Sequence, residues 1–363
     1  VTRTLRTAVL VVHAGVGAVL AANLVAFARH RRRRPPATRA RVSVLVPARN
    51  EEANLRVLLP SVLRQRGVAV ELVVVDDASE DGTWAVLQAH ADDRLVPVRG
   101  SGPPAGWVGK VHALHQAAAR ATGDLFVFLD ADAHLRDGDA LARLAARWAD
   151  NGGPGTALTG LPRYLDRGPA ALLTSLVPFA VLAALPIPLV PRTSSPSISA
   201  LNGQVWALGA ADYRRLAPHA ANRAEVLEDV MIGRTLKRRG VRLYFEDLSG
   251  EVGVRMYGSF GEAWAGFRKN AYLLAGGQPR PFAVFFAAYA LSWVVPSALA
   301  LRGHGLPLAT LTAVKLGVDR WARFPLWVSA LAPVTLALGA ALQLDSAWAH
   351  ARGRVAWKGR SVG

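Results

Sequence analysis

The sequence predicts an α/β protein, a doubly wound sheet domain set between apolar helices. Three observations lead there. Short apolar strands alternate with helical patterns from residue 41 onward. Acidic residues directly follow two of those strands. Long uncharged runs lie outside this region, on either side of it.

Thr7–Ala28 holds 22 residues without a charge, enough to cross about 30 Å of hydrocarbon. Arg29 and Arg31 to Arg34 follow at once, and no small-residue cleavage site comes after them. The run therefore reads as an anchor rather than a removed signal peptide. The arginines predict a cytoplasmic side downstream of it.

Val42–Val46 reads as a short strand and Glu51–Arg66 as a helix with Leu55, Leu58, Leu59 and Val62 on one face. Val70–Val75, apolar but for Glu71, reads as a strand, the pattern of a parallel sheet buried on both faces. Glu80–Ala89 is helical, Arg94–Val98 is a strand, Lys110–Ala121 is helical and Leu125–Leu129 is another buried strand. Such alternation implies right-handed crossovers. A strand-like run to Leu208 follows Asn202-Gly203-Gln204, and Val230–Arg239 forms a helix opened by Glu228-Asp229.

Gly168–Pro191 is also uncharged, but Pro169, Pro178, Pro186, Pro188 and Pro191 interrupt it. Proline removes donors and kinks helices, so this segment reads as interfacial rather than as a clean span. Pro281–Leu301 and Phe324–Leu344 each hold 21 uncharged residues and are long enough to cross. Two such crossings return the basic tail (Arg352, Arg354, Lys358, Arg360) to the cytoplasm, but they leave Lys315, Arg320 and Arg323 on the wrong side for the positive-inside rule.

Composition bounds the chemistry. The 363 residues are 52% hydrophobic and 19% charged, which excludes a disordered or collagen-like chain. The net charge of +17 points to an anionic partner: nucleic acid, membrane lipid or a phosphorylated ligand. Because the densest arginine cluster abuts an apolar span, membrane is expected and nucleic acid is not. There is no cysteine, so disulfides, thiolate metal sites and thiol nucleophiles are excluded. Any metal must take oxygen or imidazole ligands.

Ligands of open α/β sheets bind beyond the carboxyl ends of the strands. Asp76-Asp77 ends one strand and Asp130-Ala131-Asp132 another, so both acidic groups are expected at one crevice. Crowded carboxylates repel unless a cation joins them, and Mg²⁺ is commonly shared between one or two carboxylates and substrate phosphates. Lys110 follows the glycine-containing turn Gly106-Trp107-Val108-Gly109 at a predicted helix start, an arrangement suited to a diphosphate. Trp107 either stacks on a ligand ring or packs the loop. His112 and His115 read as surface or packing residues rather than metal ligands, and His134 is only a weak ligand candidate.

Val-Pro-Ala-Arg-Asn-Glu at 46–51, Asp-Asp-Ala-Ser at 76–79, Asp-Ala-Asp at 130–132 and Glu-Asp at 228–229 together resemble the ordered motifs of glycosyltransferase family 2. The resemblance covers about 235 residues, 41 to 275. Gly-Trp-Val-Gly-Lys at 106–110, Arg-Met-Tyr at 255–257, Gly-Phe-Arg-Lys-Asn at 266–270 and Trp-Lys-Gly-Arg at 357–360 are similar to its membrane-bound branch associated with carotenoid and hopanoid pathways.

The resemblance implies a GT-A fold with a mixed sheet, a nucleotide-sugar donor, a divalent metal (Mg or Mn) and inversion at the anomeric carbon. By position it implies that Pro47, Arg49, Glu51, Asp76 and Asp77 serve the nucleotide, with Lys110 and Asp130 on the donor side. Asp132 is the implied metal ligand. Asp229 is the implied base, oriented by Glu228. Gly203 and Gln204 would lie by the acceptor. Arg268 and Lys269 would meet either the diphosphate or lipid headgroups. The Gln-x-x-Arg-Trp motif of processive members is missing, which favours transfer of a single sugar.

The expected organisation is an anchor and basic stop at 1–34, a cytoplasmic catalytic domain at 41–275 with the apolar segment 168–191, transmembrane helices within 281–345, and a basic tail at 346–363. The expected activity moves one sugar, from a UDP-sugar, to a membrane lipid such as a carotenoid acid or hopanoid. The alternatives are a polyprenyl phosphate or diacylglycerol acceptor, and a non-catalytic membrane scaffold with a nucleotide-binding fold. The expected location is the plasma membrane, multi-pass. The sequence leaves sugar, acceptor and oligomeric state open.

Overall fold

The computed structural model describes residues 2–32, 40–199, 201–357 and 360–361. Arg33, Arg34 and Lys358 of the expected basic segments lie outside the described residues. The chain divides into two compact units: an α/β unit of Phe27–Arg163 with Pro188–Arg255, and a helical unit of Val1–Ala26, Tyr164–Ile187 and Met256–Gly363.

Up to Val254 the strands are β1 (Arg41–Ala48), β2 (Ala69–Asp77), β3 (Leu95–Gly100), β4 (Leu125–Leu129), β5 (Ala133–Leu135), β6 (Thr156–Leu161), β7 (Arg163–Tyr164), β8 (Val205–Gly209), β9 (Arg242–Asp247) and β10 (Val252–Val254). A seven-stranded sheet has the order β3-β2-β1-β4-β8-β6-β9. β1 runs parallel to β2 and β4, with Ala48 opposite Asp76 and Leu45 opposite Phe128. The carboxyl ends of β1, β2 and β4 therefore lie on one edge, as the alternating pattern predicts. β8 is antiparallel to both neighbours, β4 and β6, which makes the sheet mixed.

Every residue of β4 is buried, as are Val42 to Val46 of β1 and Leu72 to Val75 of β2. These continuous buried runs, apolar but for Ser43, are what a sheet covered on both faces requires. The helix Glu52–Leu63 covers it with Leu55, Leu58, Leu59 and Val62, the face expected from spacing. The helix Gly109–Arg120 adds Val111, Leu114 and Ala117.

The helical unit departs from the expected boundaries. The α/β unit ends at Arg255, and residues 256–275 belong with the helices, because helix Phe260–Leu274 buries Ala263 and Gly266 there. The proline-broken run folds as helices Ala170–Thr174 and Leu176–Ala184 and a 3₁₀ turn Ile187–Arg192. All of Ala170 to Thr174 is buried inside the helical unit rather than lying on an open face, since helices Phe260–Leu274 and Ala332–Ala351 cover it. Among the described residues, two helices, Arg3–Arg31 and Pro279–Ala300, are long and apolar enough to cross a membrane. Phe324–Leu344 is not one helix. It breaks at Leu331 into Leu326–Ala330 and Ala332–Ala351, with Pro333 in the first turn of the second, where its missing N–H costs least.

Lys315, awkward for the positive-inside rule, is not an open charge. Its ammonium is fully buried against Asp319 one helical turn on and donates to Ser175 Oγ (3.0 Å), while Ser329 donates to Asp319 Oδ2 (2.9 Å).

Candidate active site

The loops leaving β1 and β2 are tied together. Arg49 donates from Nη1 to the carbonyls of Asp77 (2.9 Å) and Ala78 (2.8 Å). Asp76 is buried, and its Oδ1 accepts from Ser79 N (3.0 Å), closing the turn in which Ala78 takes a φ of 55°. Asn50, at a φ of 53°, accepts from Glu80 N on its Oδ1 and donates its own N–H to Ser79 Oγ. Glu51 Oε2 accepts from Asn54 (2.7 Å). Pro47 sits on β1 opposite Val75. Thus Pro47, Arg49, Glu51, Asp76 and Asp77 gather at two adjacent strand ends, with Arg49 and Asp76 shaping the turn.

Lys110 lies in the first turn of helix Gly109–Arg120. Its ammonium bridges Asp130 Oδ1 (2.7 Å) and Glu228 Oε1 (2.8 Å). Burial opposes its charge, but Asp130 and then Glu228 override burial and hold it well above the ordinary lysine range. The cation that joins these carboxylates in the folded chain is therefore a side chain. Among the described residues, no three acidic or histidine side chains group as a metal cage.

Glu228 and Asp229 open the helix Glu228–Arg238, where acidic groups complement the helix dipole. Asp229 Oδ2 accepts from Gly203 N (3.0 Å) and Oδ1 from Val230 N (2.8 Å). Burial and then the Glu228 charge raise its pKa to about 6, against the pull of Lys110 and the two N–H donors. The reversed strand β8 brings Gly203 here, because its start lies where β4 ends. Asp130 N donates to Gln204 O (3.3 Å), and Asn202 is pinned by Thr159 Oγ1 and Gly160 O. Asp130, Lys110, Gly203, Gln204, Glu228 and Asp229 thus form one connected cluster.

Asp132 lies two residues beyond Asp130, and its carbonyl accepts from Arg255 N (3.1 Å). Arg268 and Lys269 are on helix Phe260–Leu274 in the helical unit, where Arg268 faces Asp345 at 3.8 Å. Trp107 packs on His112 and His115, with ring centroids 5.3 and 5.1 Å away. The loop-packing reading of Trp107 and the packing reading of both histidines account for these contacts.

Two groups near the site go beyond what the motifs mark. His219, fully buried, shares a hydrogen bond between Nδ1 and Tyr213 OH (2.8 Å) and lies against Phe128 and Trp206. Burial, with Lys110 and His115 nearby, lowers its pKa to about 3, so it stays neutral. The second is a basic face around His134. Burial and then Arg136, Arg64 and Arg255 hold the imidazole below its usual range.

Comparison with known proteins agrees with this geometry. Residues 43–171 match the model of Glycosyl transferase family 2. A 4,4'-diaponeurosporenoate glycosyltransferase of Staphylococcus haemolyticus (strain JCSC1435) is 26% identical over 227 residues, 62% of this chain and 59% of that protein. One of Staphylococcus aureus (strain MRSA252) is 31% identical over 114 residues, 31% of this chain and 30% of that protein. The matches thus span about 59% and 30% of these relatives' lengths. A solved mannosyltransferase, PcManGT from Pyrobaculum calidifontis in complex with GDP-Man and Mn²⁺, superimposes with a TM-score of 0.53 at 21% identity, covering 97% of this chain and 99% of that one. Residues 43–171 thus resemble glycosyltransferase family 2, and the mixed sheet with its reversed β8 belongs to a chain with a GT-A fold.

Proposed function

We propose that this chain is an inverting glycosyltransferase moving one sugar from a nucleotide-diphosphate sugar, a UDP-sugar, to a membrane lipid such as a carotenoid acid or hopanoid. The observation that carries this reading is Asp229, a carboxylate with a pKa near 6, one residue from Glu228 and tied through it to Lys110 and Asp130. A base of that strength exchanges a proton with an acceptor hydroxyl near neutral pH.

The acceptor oxygen attacks the anomeric carbon as Asp229 takes its proton. The bond from that carbon to the diphosphate breaks, and the electron pair leaves with the nucleotide. Glu228 keeps the Asp229 carboxyl basic by its neighbouring charge and holds Lys110 in place. Lys110 offers a fixed positive charge to the departing diphosphate. Gly203 and Val230 N–H groups fix the orientation of the Asp229 carboxylate.

A divalent ion fits the donor set. Asp130 and Asp132 stand on the turn after β4, and hard cations combine one or two carboxylates with phosphate oxygens and water. Asp132 would hold it, and when bound it supplies charge neutralisation of the leaving diphosphate. The apolar helices Arg3–Arg31 and Pro279–Ala300 support a multi-pass plasma-membrane location, and Arg29 and Arg31 support a cytoplasmic catalytic unit.

The test incubates purified full chain with labelled UDP-sugars and a membrane lipid extract and reads products by mass. The expected product is a lipid heavier by one sugar. No labelled lipid with any donor overturns the reading.

A further inference from the structure

The chain places an unassigned cluster of guanidinium groups beside Asp132. Strand alternation sets Asp132, His134 and Arg136 on one face of the β5 segment, because Ala133 and Leu135 are buried on the other. The antiparallel register sets Gly253 of β10 opposite His134, and the next same-face residue of that chain is Arg255. A glycine opposite His134 leaves this face without a covering side chain. Arg64 reaches the same strand from beyond helix Glu52–Leu63, donating from Nη2 to Leu135 O (3.3 Å).

These three arginines are exposed, and among the described residues none has an ion-pair partner. Besides Asp132 on the same face, the nearby carboxylates are already committed. Asp137 pairs with Arg143 (2.8 Å), and Glu251 with Arg143 and Arg147. Three guanidinium groups on one small face, none in ion-pair contact with a carboxylate, repel one another, a cost that an oxyanion relieves. Planar forks of this kind match phosphate oxygens.

The same face is linked to the end of the apolar N-terminal helix. Arg136 Nη1 donates to Ser249 O (2.7 Å), and Arg31, in the last turn of helix Thr2–Arg32, donates to Ser249 Oγ (3.2 Å) and pairs with Asp247. The uncharged run of that helix ends at Ala28. If that run crosses a bilayer, Arg31 stands at headgroup depth and the Ser249 loop carries Arg136 with it.

We propose that Arg64, Arg136 and Arg255 form a binding site for the phosphate of an anionic membrane lipid headgroup. The site rests on the membrane part of the reading above but not on the transfer reaction. Its chemistry is shared with the donor's diphosphate, so the test separates the two sources.

Full-length protein in neutral detergent is mixed with dioleoyl phosphatidylglycerol or dioleoyl phosphatidylcholine and examined by native mass spectrometry, with UDP affinity measured in parallel. The expected result is at least tenfold better retention of phosphatidylglycerol. That preference should be lost in R64Q/R136Q/R255Q, kept in R64K/R136K/R255K, and kept in the charge-matched control R94Q/R99Q/R120Q. Equal retention by wild type and the triple glutamine variant overturns the proposal. So does a variant that keeps the lipid preference while UDP affinity alone falls, which would assign the face to the donor. Lipid retention without sugar transfer would leave this site standing and remove the transferase reading. Transfer without lipid preference would do the reverse.

Discussion

The backbone N–H of Gly203 meets Asp229 Oδ2 at 3.0 Å, and a Cβ at position 203 would stand 3.2 Å from both that oxygen and Lys110 Nζ. Close approach rather than backbone conformation favours glycine here, since its φ is not in the left-handed region. Gly203→Ala pushes the carboxylate or the ammonium aside by a few tenths of an ångström. Because small misplacements of reacting groups are costly, kcat should fall about tenfold or more with the melting temperature little changed. Initial rates and a thermal melt of the same preparation check this.

Asp229→Asn removes the proposed base and keeps the shape. Transfer should fall by about 10²–10⁴ while UDP affinity is retained. Parallel loss of both would move Asp229 from base to donor pocket.

Transfer should decline on the acid side of pH 6. The Asp229 pKa, raised to about 6, means the carboxyl is protonated below that pH and useless as a base, so the rate drops about tenfold per unit there. Glu228→Gln deletes a raising charge, so the midpoint should move to lower pH. The linked effect on stability has the opposite sense. The native carboxyl holds its proton more tightly than the unfolded one, so its contribution is present below pH 3.8 and lost as pH rises through about 6.

Tyr213→Phe strips the buried Nδ1 of His219 of its partner at 2.8 Å. A stability loss of about 1–3 kcal/mol is expected, read as a lower melting temperature. His219 itself, at about 3 in the fold, contributes stability above the unfolded histidine value of 6.5 that is lost as pH falls towards 3.

Lys315→Met leaves Asp319 buried without its ammonium and should destabilise by about 3–5 kcal/mol. The double variant Lys315→Met with Asp319→Leu should recover most of that, because it removes both charges together. Thermal melts in one detergent compare the three proteins.

The parallel core was legible because its strands are apolar runs broken only by Ser43 and Glu71, which bond to each other. Val42–Val46, Val70–Val75 and Leu125–Leu129 fall inside β1, β2 and β4, and the helix starts at Lys110 and Glu228 are within a residue of the observed ones. Acidic residues after strands marked the edge at which the acidic cluster around Lys110 gathers. Other features left no local trace. Where β8 inserts depends on pairing across about 75 residues, and the partnership of Lys110 with Glu228 spans 118 positions. His219 sits in no motif, so its burial against Phe128 and Trp206 emerges only from the fold. The break at Leu331 was hidden in an uncharged run, since charge alone does not register the effect of Pro333.

β8 enters the sheet at the edge its neighbours leave, and five backbone rungs lock it to β4. The peptide feeding into β8 can therefore change length or chemistry while the rungs keep Gly203 in reach of Asp229. Selection can retune what approaches one side of the reacting centre without disturbing the turns of β1 and β2 on the other. An inverted strand in an otherwise co-directional array gives this architecture two separately adjustable rims on a single rigid floor.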